Sequence, residues 1–126
     1  MNADRAGRLS AELITADGPV AFRVTQGLRY YELNDMHCIE ASGGDGKAFF
    51  LYLPIGVQTG TFSLGLSERS PMIIHVTGRC EAELYRGRLE LTVGGETQFA
   101  GTFSGLDAEG VEVERGSFRL EYEDPV

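Results

Sequence analysis

Over most of this chain, apolar and polar residues take turns at every second position, and that period decides the fold class. In "RLELTV", Leu89, Leu91 and Val93 alternate with Arg88, Glu90 and Thr92. "VEVE" sets Val111 and Val113 against Glu112 and Glu114, and "SFRLEY" sets Phe118, Leu120 and Tyr122 against Ser117, Arg119 and Glu121. "VAFRVTQ" groups Val20, Phe22 and Val24, and "MIIHVT" groups Met72, Ile74 and Val76. Side chains of a strand point to opposite faces in turn, so each run predicts a strand with one buried face. No stretch carries a convincing helical period, and "RAGRLSAELI" reads in its second half as the first strand.

Turn chemistry punctuates these runs at "ADGP" (16–19), "SGGDG" (42–46), "YRGR" (85–88), "GGE" (94–96) and "GLDAEG" (105–110). Glycine makes up 17 of the 126 residues, roughly double the ~7% norm, and its scatter marks turns rather than a linker. Short strands at close spacing predict an all-β fold, an antiparallel β-sandwich or flattened β-barrel of about 8–10 strands. The length fits one domain over residues 1–126, with 1–8 expected as a flexible N-terminal tail.

Two segments break the alternation. "KAFFLYLP" (47–54) is apolar on both faces, with Phe49, Leu51 and Leu53 on one and Ala48, Phe50 and Tyr52 on the other. Such a strand is covered on both sides by its own chain or meets a partner. In "VERGSF" the inward parity changes from odd at Val113 to even at Phe118. An extra residue restores the phase, and a β-bulge at Arg115–Gly116 is expected, with glycine taking the positive φ.

The formal net charge is −8. Residues 1–80 hold eight acids and seven bases, whereas residues 81–126 hold eleven acids and four bases. This balance argues against nucleic acid and anionic membrane surfaces as partners. No run approaches the ~18 apolar residues of a membrane span, and the N-terminus lacks the apolar core of a secretory signal, so a cytoplasmic location is expected. Cys38 and Cys80 make no CxxC pattern and are expected as two buried free thiols.

The ordered set "AFRVTQGLRYYE", "CIEASGGDGKAFFLYLP", "GTFSLG", "GRLELTV" and "FAGTFSGLDAEGVEVERGSF" resembles a bacterial β-domain family of unknown function, found mostly in lipoproteins. The resemblance spans about residues 11–120 and rests on glycine turns and alternating hydrophobics. It implies an all-β domain and brings no catalytic residues. The chain departs from that family in having no lipidation cysteine near its start.

Candidates for chemistry are few. His75 alternates with Ile74 and Val76, which places it on the wetter face; His37 shares parity with Ile39 and is expected to be partly buried. Their spacings to Cys38 and Cys80 match no zinc pattern, so no metal and no cofactor are expected. There is no G-x-S-x-G elbow. Carboxylates two apart, such as Glu81 and Glu83, lie on solvent parity, where a glycosidase pair with one buried acid does not form. "GLDAEGVEVE" lacks EF-hand spacing. The expectation is a non-enzymatic β-domain, a protein-interaction or structural module. Its contact residues are Glu112, Glu114 and Glu121 on an acidic face, and Phe50 and Tyr52 where the apolar strand meets a protein partner or a second copy. The alternatives are a carrier of a small apolar ligand held inside the barrel and, behind it, a hydrolase.

Overall fold

A computed structural model describes residues 4–44, 46–65 and 71–123. These form eleven strands: β1 (Asp4–Arg5), β2 (Gly7–Thr15), β3 (Gly18–Val24), β4 (Leu28–Leu33), β5 (Met36–Ser42), β6 (Lys47–Pro54), β7 (Gly60–Leu64), β8 (Met72–Thr77), β9 (Cys80–Val93), β10 (Phe99–Asp107) and β11 (Glu112–Leu120). No helix occurs among the described residues. Of residues 1–8, expected as a flexible tail, 1–3 lie outside the described residues, Asp4–Arg5 pair with β4, and Gly7–Arg8 pair with β11.

The strands run antiparallel in the order β1-β4-β5-β6-β8-β9-β10-β11-β2-β3, with β7 added beside β9. Two layers result. The first sheet holds β1, β4, β5, β6, β8 and the start of β9; the second holds β7, the rest of β9, β10, β11, β2 and β3. The strand β9 crosses from one layer to the other, since Cys80–Glu83 pair with β8 and Leu84–Val93 pair with β10. The β1–β2 run makes the corresponding passage on the far side, and the result is a nearly closed, flattened barrel.

The crossing in β9 corrects the expectation of a turn at "YRGR". The strand continues through it, and Arg86 takes φ 53°. Three steps on β9, from Arg88 to Tyr85, face two on β10, from Ser104 to Leu106. That is one extra residue, a bulge. Gly87 follows because a Cβ there would sit 2.8 Å from Gly105 Cα and closer still to the Ser104 carbonyl oxygen. Bulge and turn draw on the same residue types, and only the ladder on either side separates them.

The bulge expected in β11 is present. From Glu114 to Ser117 is three steps, facing two on β2 from Glu12 to Ser10. Val113 and Phe118 thereby both reach the core. The roles within the pair differ from expectation. Arg115 takes the positive φ, 54°. Gly116 is needed for space, because its missing Cβ would fall 2.6 Å from Phe103 Cζ and closer to two other ring carbons.

The interior is a single apolar cluster. Phe49 meets Phe22 edge-on at 5.0 Å and Phe103 at 5.8 Å, and Phe103 leans on Phe118 at 6.4 Å. Leu9, Leu51, Ile73, Leu89 and Leu120 fill the spaces between, all fully buried. Sequence grouped Met72, Ile74 and Val76 as the inward set of β8, and the structure reverses that phase. Ile73 and His75 face the core, while Met72, Ile74 and Val76 are half-buried on the outside.

Candidate interaction surface

The site is built on β6, the middle strand of the first sheet. Its inner residues Phe49, Leu51 and Leu53 are fully buried, as the alternation predicts. On the outer side Ala48 is buried and Phe50 and Tyr52 are half-buried. The ladder places Phe50 beside Ile74, Tyr52 beside Met72 and Ala48 beside Val76. The reversed phase of β8 therefore extends the apolar outer face over two adjacent central strands. An antiparallel sheet with a wet outer face carries polar residues there.

Ionisable groups border this patch. On one side Glu40 accepts a hydrogen bond from the Tyr31 hydroxyl at 2.6 Å and lies 3.6 Å from Arg29. The Arg29 guanidinium sits over the Tyr31 ring at 5.1 Å. On the other side, Glu83 lies beside Ile74 and Glu81 beside Val76. The hydrogen bond to Glu40, together with burial, pushes the Tyr31 phenol upward, and burial pushes Tyr52 in the same direction. Both are held as neutral donors with an apolar body, the side-chain type favoured in contacts between proteins. Cys38 is covered between Tyr31 and Tyr52, and burial raises its thiol.

Glu112, Glu114 and Glu121, grouped by sequence, do not form one cluster. Glu112 and Glu114 are exposed at one end of β11, where Glu114 faces Glu12 across the ladder. Glu121 lies beyond the opposite end of the strand, half-buried, and accepts a 2.7 Å bond from Arg119 Nε. The acidity of the last third is partly offset by Arg119 on Glu121 and by Arg88 on Glu90, whereas Arg115 lies 3.6 Å from Glu12 of β2.

Two polar clusters escaped the sequence. At one end of the barrel the Tyr30 hydroxyl donates to Glu32 Oε2 at 3.1 Å and lies 2.6 Å from His37 Nδ1. Arg5 covers the Tyr30 ring at 4.5 Å and donates to Gln98 Oε1 at 2.6 Å and to the Glu121 carbonyl at 3.1 Å. Burial, with Glu32 adding to it, pushes Tyr30 up to about 12. Burial lowers His37, partly opposed by Glu32. His37 is half-buried, as parity suggested. The network ties β1, β4 and β5 to Gln98, just before β10.

At the other end His75, expected on the wetter face, is 2% exposed and stacks on Phe49 at 4.9 Å. Its Nδ1 lies 2.9 Å from Asp107 Oδ2, a contact between residues 32 positions apart. Asp107 Oδ1 accepts from the Glu109 and Val111 amides, both at 2.9 Å, and so shapes the β10–β11 loop. A buried polar group needs a partner, and Asp107 supplies it for Nδ1; Nε2 has none among the described residues.

The cysteines are both free, with Cys38 buried and Cys80 exposed, so the expectation of two buried thiols holds only for the first. A shallow groove of about 540 Å³ lies on the outside of the second sheet, between Arg8 and Arg119 on one side and Thr61 on the other. No family model matches this sequence, and neither a curated protein nor a solved structure is similar to it.

Proposed function

We propose that this domain is a non-enzymatic interaction module working through the outer face of the first sheet. The observation that carries the reading is the continuous apolar surface of Ala48, Phe50, Tyr52, Met72, Ile74 and Val76 on two neighbouring central strands. Completing the burial of a half-buried aromatic or aliphatic side chain is worth on the order of 1 kcal/mol. Several together supply the driving force for association, and the flanking charges supply specificity. The interior, filled by the aromatic cluster, offers no comparable support for a ligand carrier.

The test is photo-crosslinking with p-benzoylphenylalanine in place of Phe50, and of Thr102 on the opposite sheet as control, in the cells that make the protein. Adducts from position 50 and not from 102 are expected. Equal yields from both positions, or none from 50, refute the reading. A second reading rests on Glu12 and Glu114, like charges that face each other across a ladder at a cost in stability, with Glu112 exposed two residues away on the same strand. A basic protein docked there would relieve the repulsion. Binding to such a partner should weaken with salt and be lost in the Glu112→Gln, Glu114→Gln double variant.

A further inference from the structure

We propose that the Phe50–Tyr52 face binds a second copy of this chain, sheet against sheet, about a two-fold axis that runs along β6. The proposal rests on the reading of that face as an interaction surface, and the order of charges across the sheet selects the partner and the axis.

One row of the outer face runs Arg29, Glu40, Phe50, Ile74, Glu83 across β4, β5, β6, β8 and β9. The row below it runs Ser42, Ala48, Val76, Glu81. The row above runs Tyr31, Cys38, Tyr52, Met72. The strand β6 is central, with β4 two strands away on one side and β9 two strands away on the other, each about 9.6 Å off. The charged edges differ: the β4 edge carries Arg29, with 63% of its side chain exposed, and the β9 edge carries Glu81 and Glu83.

A two-fold axis along β6 keeps each row and exchanges the edges. Phe50 then meets Phe50 of the second copy, Tyr52 meets Tyr52, and Arg29 comes over Glu83, twice by symmetry. The small inclination that twisted sheets adopt when packed in alignment, about 30°, leaves these pairings within reach of a long arginine. The alternative in-plane axis, across the strands, keeps the edges and reverses the rows. It would set Glu81 and Glu83 of one copy against the same two carboxylates of the other, an arrangement that like charges oppose.

Size sets the expected strength. Five strands by three rows cover about 20 Å by 20 Å, roughly 400 Å² of footprint per copy, about half of a standard interface. That range belongs to transient association, so the dimer should form at high concentration.

The experiment is sedimentation equilibrium from about 10 μM to about 1 mM, a span chosen for a weak interface. The wild type should move from 13.7 kDa toward twice that mass. Arg29→Glu and Glu83→Arg should each weaken the dimer about tenfold, ~1.4 kcal/mol. Their combination should restore it, because the charges are then exchanged across the axis. Phe50→Glu should abolish it, with Tyr52→Ser as the second variant should Phe50→Glu not fold by circular dichroism. A wild type that stays monomeric throughout overturns the second-copy proposal, while crosslinking from position 50 to another protein would leave the surface reading standing. Single charge variants without effect, or a double variant that fails to recover, overturn the axis and with it the proposal. A dimer indifferent to Phe50 and Tyr52 substitution forms through another face and overturns the second-copy proposal, while the crosslinking from position 50 decides the surface reading.

Discussion

Gly116→Ala is the most incisive test of the packing around the β11 bulge. A Cβ at this position would lie 2.6 Å from Phe103 Cζ. Two other ring carbons would lie closer still, and ordinary carbon contacts need about 3.4 Å or more, so the ring must retreat by about 1 Å. It has nowhere to go: Phe103 is 3% exposed and is held between Phe49 at 5.8 Å and Phe118 at 6.4 Å. Overpacking of this kind costs typically 1–3 kcal/mol, and the confined ring argues for the upper half, about 2–3 kcal/mol. For a domain of this size that lowers the melting midpoint by roughly 10 °C. Arg115→Gly provides the contrast. It relieves a non-glycine residue at φ 54°, which is worth about 1 kcal/mol, but adds unfolded-state entropy of similar size. The exposed pair with Glu12 is worth little. Urea denaturation should therefore find Arg115→Gly within about 1 kcal/mol of wild type. Adding Phe103→Leu to Gly116→Ala should recover part of the loss, as residues in contact couple. If Gly116→Ala proves neutral, or if the cycle with Phe103 shows no coupling, steric contact with the ring is not the reason for glycine at 116.

Further outcomes follow from the polar clusters and the thiols. Asp107→Ala strands the Glu109 and Val111 amides and His75 Nδ1, and should cost about 2–4 kcal/mol by urea denaturation. Asp107→Asn, which keeps an acceptor for the amides, should cost less, and equal losses would contradict the anchoring role. Tyr30 is raised from 10.0 to about 12, so its contribution is complete below pH 10 and is lost as pH climbs through 12. Tyr30→Phe should flatten the loss of stability over that window, and an unchanged alkaline limb would refute the assignment. His37 is lowered from 6.5, so its share is present above pH 6.5 and lost on acidification through the folded value. His37→Gln should soften the acid limb, and an NMR titration of the His37 ring should give a midpoint below 6.5. A thiol reagent should label Cys80 at once and Cys38 only on unfolding, whereas two fast thiols would contradict the covering of Cys38 by Tyr31 and Tyr52.

The all-β class was legible because the period of two is local: Leu89, Leu91 and Val93 carry it without reference to any other strand. The β11 bulge was legible for the same reason, since the parity change between Val113 and Phe118 lies within one segment. The assignment of positive φ to glycine there failed because the decisive neighbour, Phe103, is on another strand. Strand β8 was misread because "MIIHVT" has apolar residues at both parities, and only a carboxylate 32 residues away makes the inward histidine favourable. That one reversal hid half of the candidate surface. Phe50 and Tyr52 were found because their strand is apolar on both faces. Met72, Ile74 and Val76 were assigned to the core and so could not be joined to them. The Tyr30 network depends on Arg5 and Gln98 converging from distant parts of the chain, and no local pattern announces it.

The two Arg–Gly bulges have a consequence for how the chain finds its register. Arg86–Gly87 and Arg115–Gly116 lie on the two neighbours of β10, at nearly the same level, where Ser104 faces Arg88 and Phe103 faces Gly116. A one-residue slip of β10 would take its side chains to the wrong face of the sheet. It would also move Phe103 off Gly116 and Gly105 away from Gly87, so both junctions would fail together. The β9–β10–β11 meander therefore works as a keyed unit, in which correct alignment of one pair enforces the other. Joined by short hairpins, its strands can align before the distant closure of β11 on β2. The amides of Leu89, Leu91, Phe103 and Phe118 are then expected to be among the slowest in the molecule to exchange with solvent, marking the part of the barrel that opens last.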